Sequence, residues 1–339
     1  IPSDYLASRR ITRWPLLFGS ITPNMFAFSN FRPKTASNLV AIEIPLTSTV
    51  GIIIQGPIVT KDDLTYETVC IYKKLFPNAT VLVSTWADTD TETIQRFKEL
   101  GIELILSERP ITAGWGNINM QMITVSAALS KAKELNLSYV LKSRSDFRIY
   151  SPTAIVLLIA LIAKFPSLIN GERLVISDVA TCRHRVYGAT DILQFGTLTE
   201  MLLYWQGDSW EKEIEKYFNG ELIVDGTPIV SEIFLCARYL KRKGRDLSFT
   251  LDCWWQSLGD FFIVVDLTTL DAVWFKYEWH LEQRFIRSYF NGYPRAVTFA
   301  DWFLLYQGYI KGWPMIEAGS ELKETWMLDE YEQLKQLKA

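Results

Sequence analysis

Histidine and cysteine are scarce in this chain, with two and four copies in 339 residues. His184 and His280 lie too far apart for an H-E-x-x-H helix, which excludes that class of zinc hydrolase. Cys70, Cys182, Cys236 and Cys253 form no C-x-x-C pair, so neither a zinc cluster nor a disulfide framework is expected. They read as reduced, mostly buried thiols. Neither charge sign is in surplus: 35 Lys and Arg stand against 38 Asp and Glu, for a net charge of −3. A nucleic-acid-binding protein normally carries a strong basic excess, so no nucleic-acid partner is expected. Long apolar runs are also missing. The strongest, Ala154 to Ala163, is closed by Lys164, Phe165 and Pro166. It falls short of the ~20 residues that cross a bilayer and predicts a buried helix. The opening Ile1-Pro2-Ser3-Asp4 lacks the charged start and apolar middle of a signal peptide, although a first residue other than Met points to trimming. A cytoplasmic location is expected.

The common glycine signatures fail as well. Gly51 and Gly56 have P-loop spacing, but Pro57-Ile58 stands where Lys-Ser/Thr is required. Gly114-Trp115-Gly116 begins like G-x-G-x-x-G, yet Asn119 occupies the third glycine position, and no G-x-S-x-G elbow occurs. P-loop NTPases, nicotinamide dehydrogenases and serine hydrolases are therefore disfavoured.

What is present is apolar and aromatic: 49% hydrophobic residues and 14% Phe, Trp and Tyr, ample for a packed core. Residues 1–47, with Pro15, Pro23, Pro33 and Pro45, read as an N-terminal arm over the body. From there the pattern alternates. Apolar strands are predicted at Val50 to Ile54, Thr80 to Ser84, Ile102 to Leu106 and from Tyr139. Between them lie helices opened by Asp62 or Asp63, by Thr89 or Thr91, and near Ile118. This alternation implies an α/β fold, a Rossmann-type, mostly parallel sheet flanked by helices. The core is assigned to residues 48–250. Beyond Ser151, helices are expected at 153–165, 197–206, 211–218, 228–243 and 298–309, and strands near 174–178, 191–195 and 260–265. Residues 251–339 form a helical, aromatic-rich C-terminal elaboration on the core.

In open α/β sheets ligands bind outside the carboxyl ends of the strands. Gln55-Gly56-Pro57, Ser84-Thr85-Trp86, Glu108-Arg109-Pro110 and Lys142 to Arg148 follow the first four strands, so they are expected to converge on one edge. Asn119 and Gln121 open a helix whose N-terminus favours anions. If the segment 142–148 stays extended, Lys142, Arg144, Asp146 and Arg148 share one face. Three cations and one carboxylate buried together suit a diphosphate, which arginine binds in bidentate fashion. Asp191, before an apolar strand, and Glu232, near a helix start, are candidate general bases. The one basic run, Arg238 to Arg245, reads as a helix C-terminus ending at Gly244, with contact to anionic lipid, peripherally at the inner membrane, or to an acidic glycan acceptor as the sharper alternative.

The ordered motifs G-I-I-I-Q-G-P-I (51–58), S-T-W (84–86), N-I-N-M-Q (117–121), K-S-R-S-D-F-R-I (142–149) and A-T-D-I-L-Q-F-G (189–196) resemble the WavE lipopolysaccharide-synthesis family over about residues 48 to 240. The resemblance implies a GT-A-like glycosyltransferase that moves a sugar from a nucleotide-sugar donor to a bacterial surface glycan, lipopolysaccharide core or capsule, on a glycan or lipid-linked glycan acceptor. It places Ser145-Asp146 where such enzymes carry D-x-D, so Asp146 would be the ligand of a divalent cation, magnesium or manganese. With a single carboxylate among Lys142, Arg144 and Arg148, weak or dispensable metal dependence is expected. Gln55, Gly56, Pro57, Thr85, Trp86, Asn119 and Gln121 would frame the donor, and Asp191 or Glu232 would be catalytic. The alternatives are a nucleotidyltransferase on a similar sheet and a non-catalytic carbohydrate-binding protein using the aromatic C-terminal region.

Overall fold

A computed structural model describes residues 25–26, 32–38, 46–167, 169, 171–275 and 296–313. Most of the N-terminal arm, His280 and the charged segment 321–339 lie outside the described residues.

The first half is built from strand–helix repeats: β1 (Val50–Gln55), α1 (Leu64–Leu75), β2 (Ala79–Trp86), α2 (Thr91–Glu99), β3 (Glu103–Ser107), α3 (Ile118–Glu134) and β4 (Tyr139–Arg144). Every residue of β1 is buried, as expected of a strand covered on both faces, where apolar residues run on rather than alternate. Asp62 and Asp63 do not cap α1 with their side chains; they form a left-handed turn with φ of 54° and 49°. The hydroxyl of Thr65 instead accepts the Val59 N–H at 2.9 Å. For α2 the cap is Asp90, whose carboxylate accepts the Thr93 N–H at 2.8 Å.

After β4 follow β5 (Phe147–Ile149), α4 (Ala154–Lys164), β6 (Leu174–Ser177), β7 (Gln194–Thr197), α5 (Leu198–Trp205), α6 (Trp210–Phe218), α7 (Ser231–Arg242), α8 (Leu251–Phe261), β8 (Phe262–Val265), β9 (Ala272–Trp274) and α9 (Phe299–Tyr306). Seven strands form the central sheet in the order β8-β6-β7-β4-β1-β2-β3. β7 is antiparallel to both neighbours, and every other pairing in that sheet is parallel. The expected α/β class, a mostly parallel sheet flanked by helices with an aromatic cluster towards the C-terminus, is present. The stretch after residue 250 contributes β8 to this sheet, so it builds the core as well as covering it.

One expectation fails here. The segment 142–148 is not one extended face: β4 stops at Arg144, Ser145 and Asp146 turn, and β5 leaves to pair with β9 in a separate two-stranded sheet. The turn is fixed because the Ser145 N–H is held by the Gln55 carbonyl at 2.9 Å. Gly56 makes the close approach possible: its φ is +125°, and an added Cβ would lie 2.9 Å from the Ser145 hydroxyl. The strand expected at 191–195 begins three residues later, leaving Asp191 in the preceding bend.

Candidate functional site

Parallel strands align their carboxyl ends, and antiparallel β7 starts at that same edge. The edge therefore collects the turns after β1, β2, β3 and β4 and the long connection 178–193 between β6 and β7. Gln55 is the register partner of both Ser84 and Arg144, so strand pairing alone brings three predicted positions into one row.

Lys142 is fully buried on β4. Its ammonium donates to the Asp191 main-chain carbonyl and lies 4.7 Å from the centre of the Trp205 ring. Burial pushes its pKa down to about 8, the charges of Asp191 and Asp146 pulling it back up and that of Arg144 pressing it lower. Its register partner Gln194 grips the same connection: Gln194 Nε2 donates to the Thr190 carbonyl at 2.9 Å and its Oε1 accepts the Trp205 indole N–H at 2.6 Å. Asp191 is thus held through its backbone, and no described hydrogen bond occupies its carboxylate.

Arg144 and Asp146 form a fork, Nε to Oδ1 at 2.8 Å and Nη2 to Oδ2 at 3.0 Å, with the guanidinium 5.7 Å from the Trp274 ring centre. Both carboxylate oxygens of Asp146 are spent on Arg144. Among the described residues, no three His, Cys, Asp or Glu side chains are grouped so as to hold a metal ion. The residues present therefore do not fit a D-x-D-type cation site unless Arg144 withdraws.

Arg148 stands apart from this cluster. It is 1% exposed and its guanidinium is consumed by the Thr68 hydroxyl, the Leu64 and Lys34 carbonyls and the Tyr150 hydroxyl. That bonding makes it a strut between β5, α1 and the arm, not a member of a shared cationic face. Asn119 is also a strut: its Oδ1 caps α6 by accepting the Trp210 N–H at 2.6 Å, and its Nδ2 reaches Glu211 and the Thr112 carbonyl. Trp86 is buried beneath Arg109, whose guanidinium lies 4.9 Å from its ring centre. Pro57 is exposed at the rim. Thr85 Oγ1 and Gln121 Oε1 are buried polar atoms with no partner among the described residues, the kind of group that a bound molecule satisfies.

Glu232, in the first turn of α7, accepts from the Ser231 hydroxyl at 2.9 Å and from Arg185 at 3.4 Å. Arg185 comes from the 178–193 connection. On the other side Gly116 presses on Ser231, since an added Cβ would lie 2.9 Å from its hydroxyl. The structure thus joins Glu232 to both the loop after β3 and the connection bearing Asp191. Sequence reasoning missed Arg183-His184-Arg185. The signal was available, because these residues follow an expected strand at the same edge as the other candidates. The basic run Arg238 to Arg245 turns inward: Arg238 and Arg242 pair with Glu213, Lys243 with Glu200 and Arg245 with Asp260. Among the described residues no helix is long and apolar enough to cross a membrane.

Three solved structures of similar shape illustrate how far the likeness extends. A cytidylyltransferase from Leptospira borgpetersenii is 17% identical, with 46% of this chain and 63% of that chain covered and a TM-score of 0.28. Residues 1–349 of TarS from S. aureus are 15% identical, covering 57% and 55%, with a TM-score of 0.32. A 4-diphosphocytidyl-2C-methyl-D-erythritol synthase from Anaerococcus prevotii is 12% identical, covering 65% and 87%, with a TM-score of 0.38. The chain spans less than two thirds of the first two, and with TM-scores this low the likeness carries no conclusion about activity. No curated protein matches the chain. The family described as WavE lipopolysaccharide synthesis matches residues 50–314, more than half of the sequence and every element from β1 to α9. The chain belongs to the WavE lipopolysaccharide synthesis family.

Proposed function

We propose that this protein is a glycosyltransferase that moves a sugar from a nucleotide-sugar donor to a growing bacterial surface glycan. The supporting observation is the convergence, in a member of a lipopolysaccharide-synthesis family, of the Arg144–Asp146 fork, the Lys142-anchored Asp191 and the Arg185–Glu232 pair on the carboxyl edge of one sheet. On this reading the diphosphate of the donor lies against Arg144, which can move from Asp146 to phosphate oxygens without leaving the edge. Cations fixed there stabilise the charge that develops on the departing diphosphate. Gln55, Thr85 and Gln121 offer polar groups to the nucleoside and sugar. Asp191 or Glu232 takes the proton of the acceptor hydroxyl, and a half-open position at the start of α7 suits Glu232 to a bulky glycan. Arg144 supplies the neutralising charge that a divalent ion gives in D-x-D enzymes, so transfer proceeds with weak or dispensable metal dependence.

A nucleotidyltransferase would need a glycine- and lysine-rich loop after β1; residues 56–63 hold one glycine and one lysine. Thermal shift with a panel of nucleoside diphosphates, followed by donor screening with product mass spectrometry, tests the proposal. Stabilisation by one nucleotide and a product heavier by one sugar are expected. Release of pyrophosphate, or glycan binding with no nucleotide effect, would overturn it.

A further inference from the structure

The 178–193 connection is long, irregular and conformationally costly, yet it brings both Arg185 and Asp191 to the edge. Ala180 and Tyr187 adopt φ of 66° and 54°, the left-handed region that a non-glycine residue, and a bulky aromatic above all, enters only when its surroundings demand it. The demand comes from the C-terminal part of the chain. Two successive residues of α8 donate their indole N–H groups to two successive carbonyls of the connection, Trp254 to Cys182 at 2.8 Å and Trp255 to Arg183 at 2.6 Å. Arg183 then pairs with Asp301 of α9 at 2.6 Å, and Asp301 also closes the capping box of that helix with Thr298. The Val297 N–H reaches the Thr181 carbonyl at 2.9 Å. The hydroxyl of Tyr187 donates to the Ser248 carbonyl at 2.5 Å, and its ring packs edge-on against Phe249 and Trp254. Trp255 is itself locked between His184 and Trp313, and there is no room for a side chain at Gly312, whose added Cβ would enter the Trp255 ring.

We propose that the α8–α9 unit is a brace for the 178–193 connection, and that Trp255 is a positioning residue acting through the Arg183 carbonyl to set Arg185 and Asp191. The aromatic pair Trp254-Trp255 thereby has a directional task that core packing alone would not require: an indole N–H aimed at a chosen carbonyl. That the connection serves sugar transfer rests on the function proposed above; that it is braced does not.

The test uses the full chain and reads hydrogen exchange at residues 178–193 against exchange in β1 and β4. Trp255→Phe removes the donor and part of the ring. Replacing Trp255 with 3-benzothienylalanine keeps the bicyclic shape and removes only the N–H. A buried carbonyl left without its partner opens more readily by about tenfold or more. Both replacements should therefore speed exchange across the connection by about that factor, with a modest fall in melting temperature. Asp301→Asn should act in the same direction. If the benzothienyl chain exchanges as slowly as the unaltered protein, the indole only fills space and the proposal fails. If exchange speeds up in β1 and β4 but not across the connection, the residue supports the rest of the fold and the proposal also fails. A separate arm adds UDP, CDP or GDP to the unaltered protein. Slower exchange at the connection supports its place in the donor site, whereas indifference to all three overturns the sugar-transfer reading without touching the brace.

Discussion

Lys142→Met isolates the proton on the buried ammonium beneath Asp191. In the folded chain burial lowers its pKa from an ordinary 10.5 to about 8. The unfolded chain therefore holds this proton more tightly by a factor of about 300, or about 3 kcal/mol. Between about pH 8 and pH 10.5 the unfolded state carries more protons than the folded one, so stability rises with pH in that window. The same calculation over about pH 7 to pH 9.5 gives the wild-type chain a gain of about 2 kcal/mol relative to Lys142→Met, which has no proton to lose. Methionine keeps the length of the side chain against Trp205, so the comparison removes the charge while leaving most of the packing. Urea denaturation of both chains at the two pH values measures the difference, and taking the difference cancels every titration the two proteins share. Curves that run parallel with pH would mean that Lys142 titrates normally and is hydrated, contrary to its complete burial. A difference of the opposite sign would mean that its neighbours favour the ammonium more than burial disfavours it.

Asp146→Asn should cost under ~1 kcal/mol in urea denaturation, because its ion pair is partly exposed. Sugar transfer by the same variant should fall roughly 100-fold once a donor is known; a collapse of the fold with normal turnover would make Asp146 structural. Asn119→Ala orphans the Trp210 N–H and should destabilise by about 1–3 kcal/mol, with nucleotide affinity by calorimetry unchanged. Asp178, pushed up to about 6 by burial and by neighbouring Asp266, binds more protons folded than unfolded as pH rises from 4 to 6. Wild type should therefore lose about 2 kcal/mol relative to Asp178→Asn between about pH 4 and pH 7 in urea denaturation. Of Asp191→Asn and Glu232→Gln, the one that removes the general base should slow transfer ~10²–10⁴-fold with donor binding kept, and normal transfer by both would acquit the pair.

The sheet was legible because its physics is local. Strands covered on both faces must be apolar along their length, and Val50 to Ile54 declares this in one short window. The helices of the second half were legible for the same reason: the expected 197–206 and 211–218 match α5 and α6 to within a residue. Leu251–Phe261 was missed, since its paired tryptophans and Gly259 blur the helical stripe. The segment 142–148 was misread because period-two alternation presumes an unbroken strand. Ser145-Asp146, two residues that favour turns, carried the contrary signal.

The site was legible only as a set of strand ends, because what each side chain does there depends on partners far along the chain. Arg144 and Arg148 are four residues apart and chemically alike. One lies within reach of the edge with Asp146, and the other is locked by Thr68 and the Leu64 carbonyl. Nothing in the local sequence separates them; the turn at Ser145 does, and that turn is set by Gln55, ninety positions earlier. Arg238 to Arg245 shows the same dependence, since the acids that pair with Arg238, Arg242, Lys243 and Arg245 come from α5, α6 and α8. A buried cation must find its counter-charge inside the fold. A basic run near apolar residues is thus evidence of acids elsewhere in the chain before it is evidence of a partner outside it. The Arg144 fork differs in its place: its partner Asp146 lies two residues away in the turn at the carboxyl edge of the sheet, so this pair is set by the local turn rather than by a distant helix.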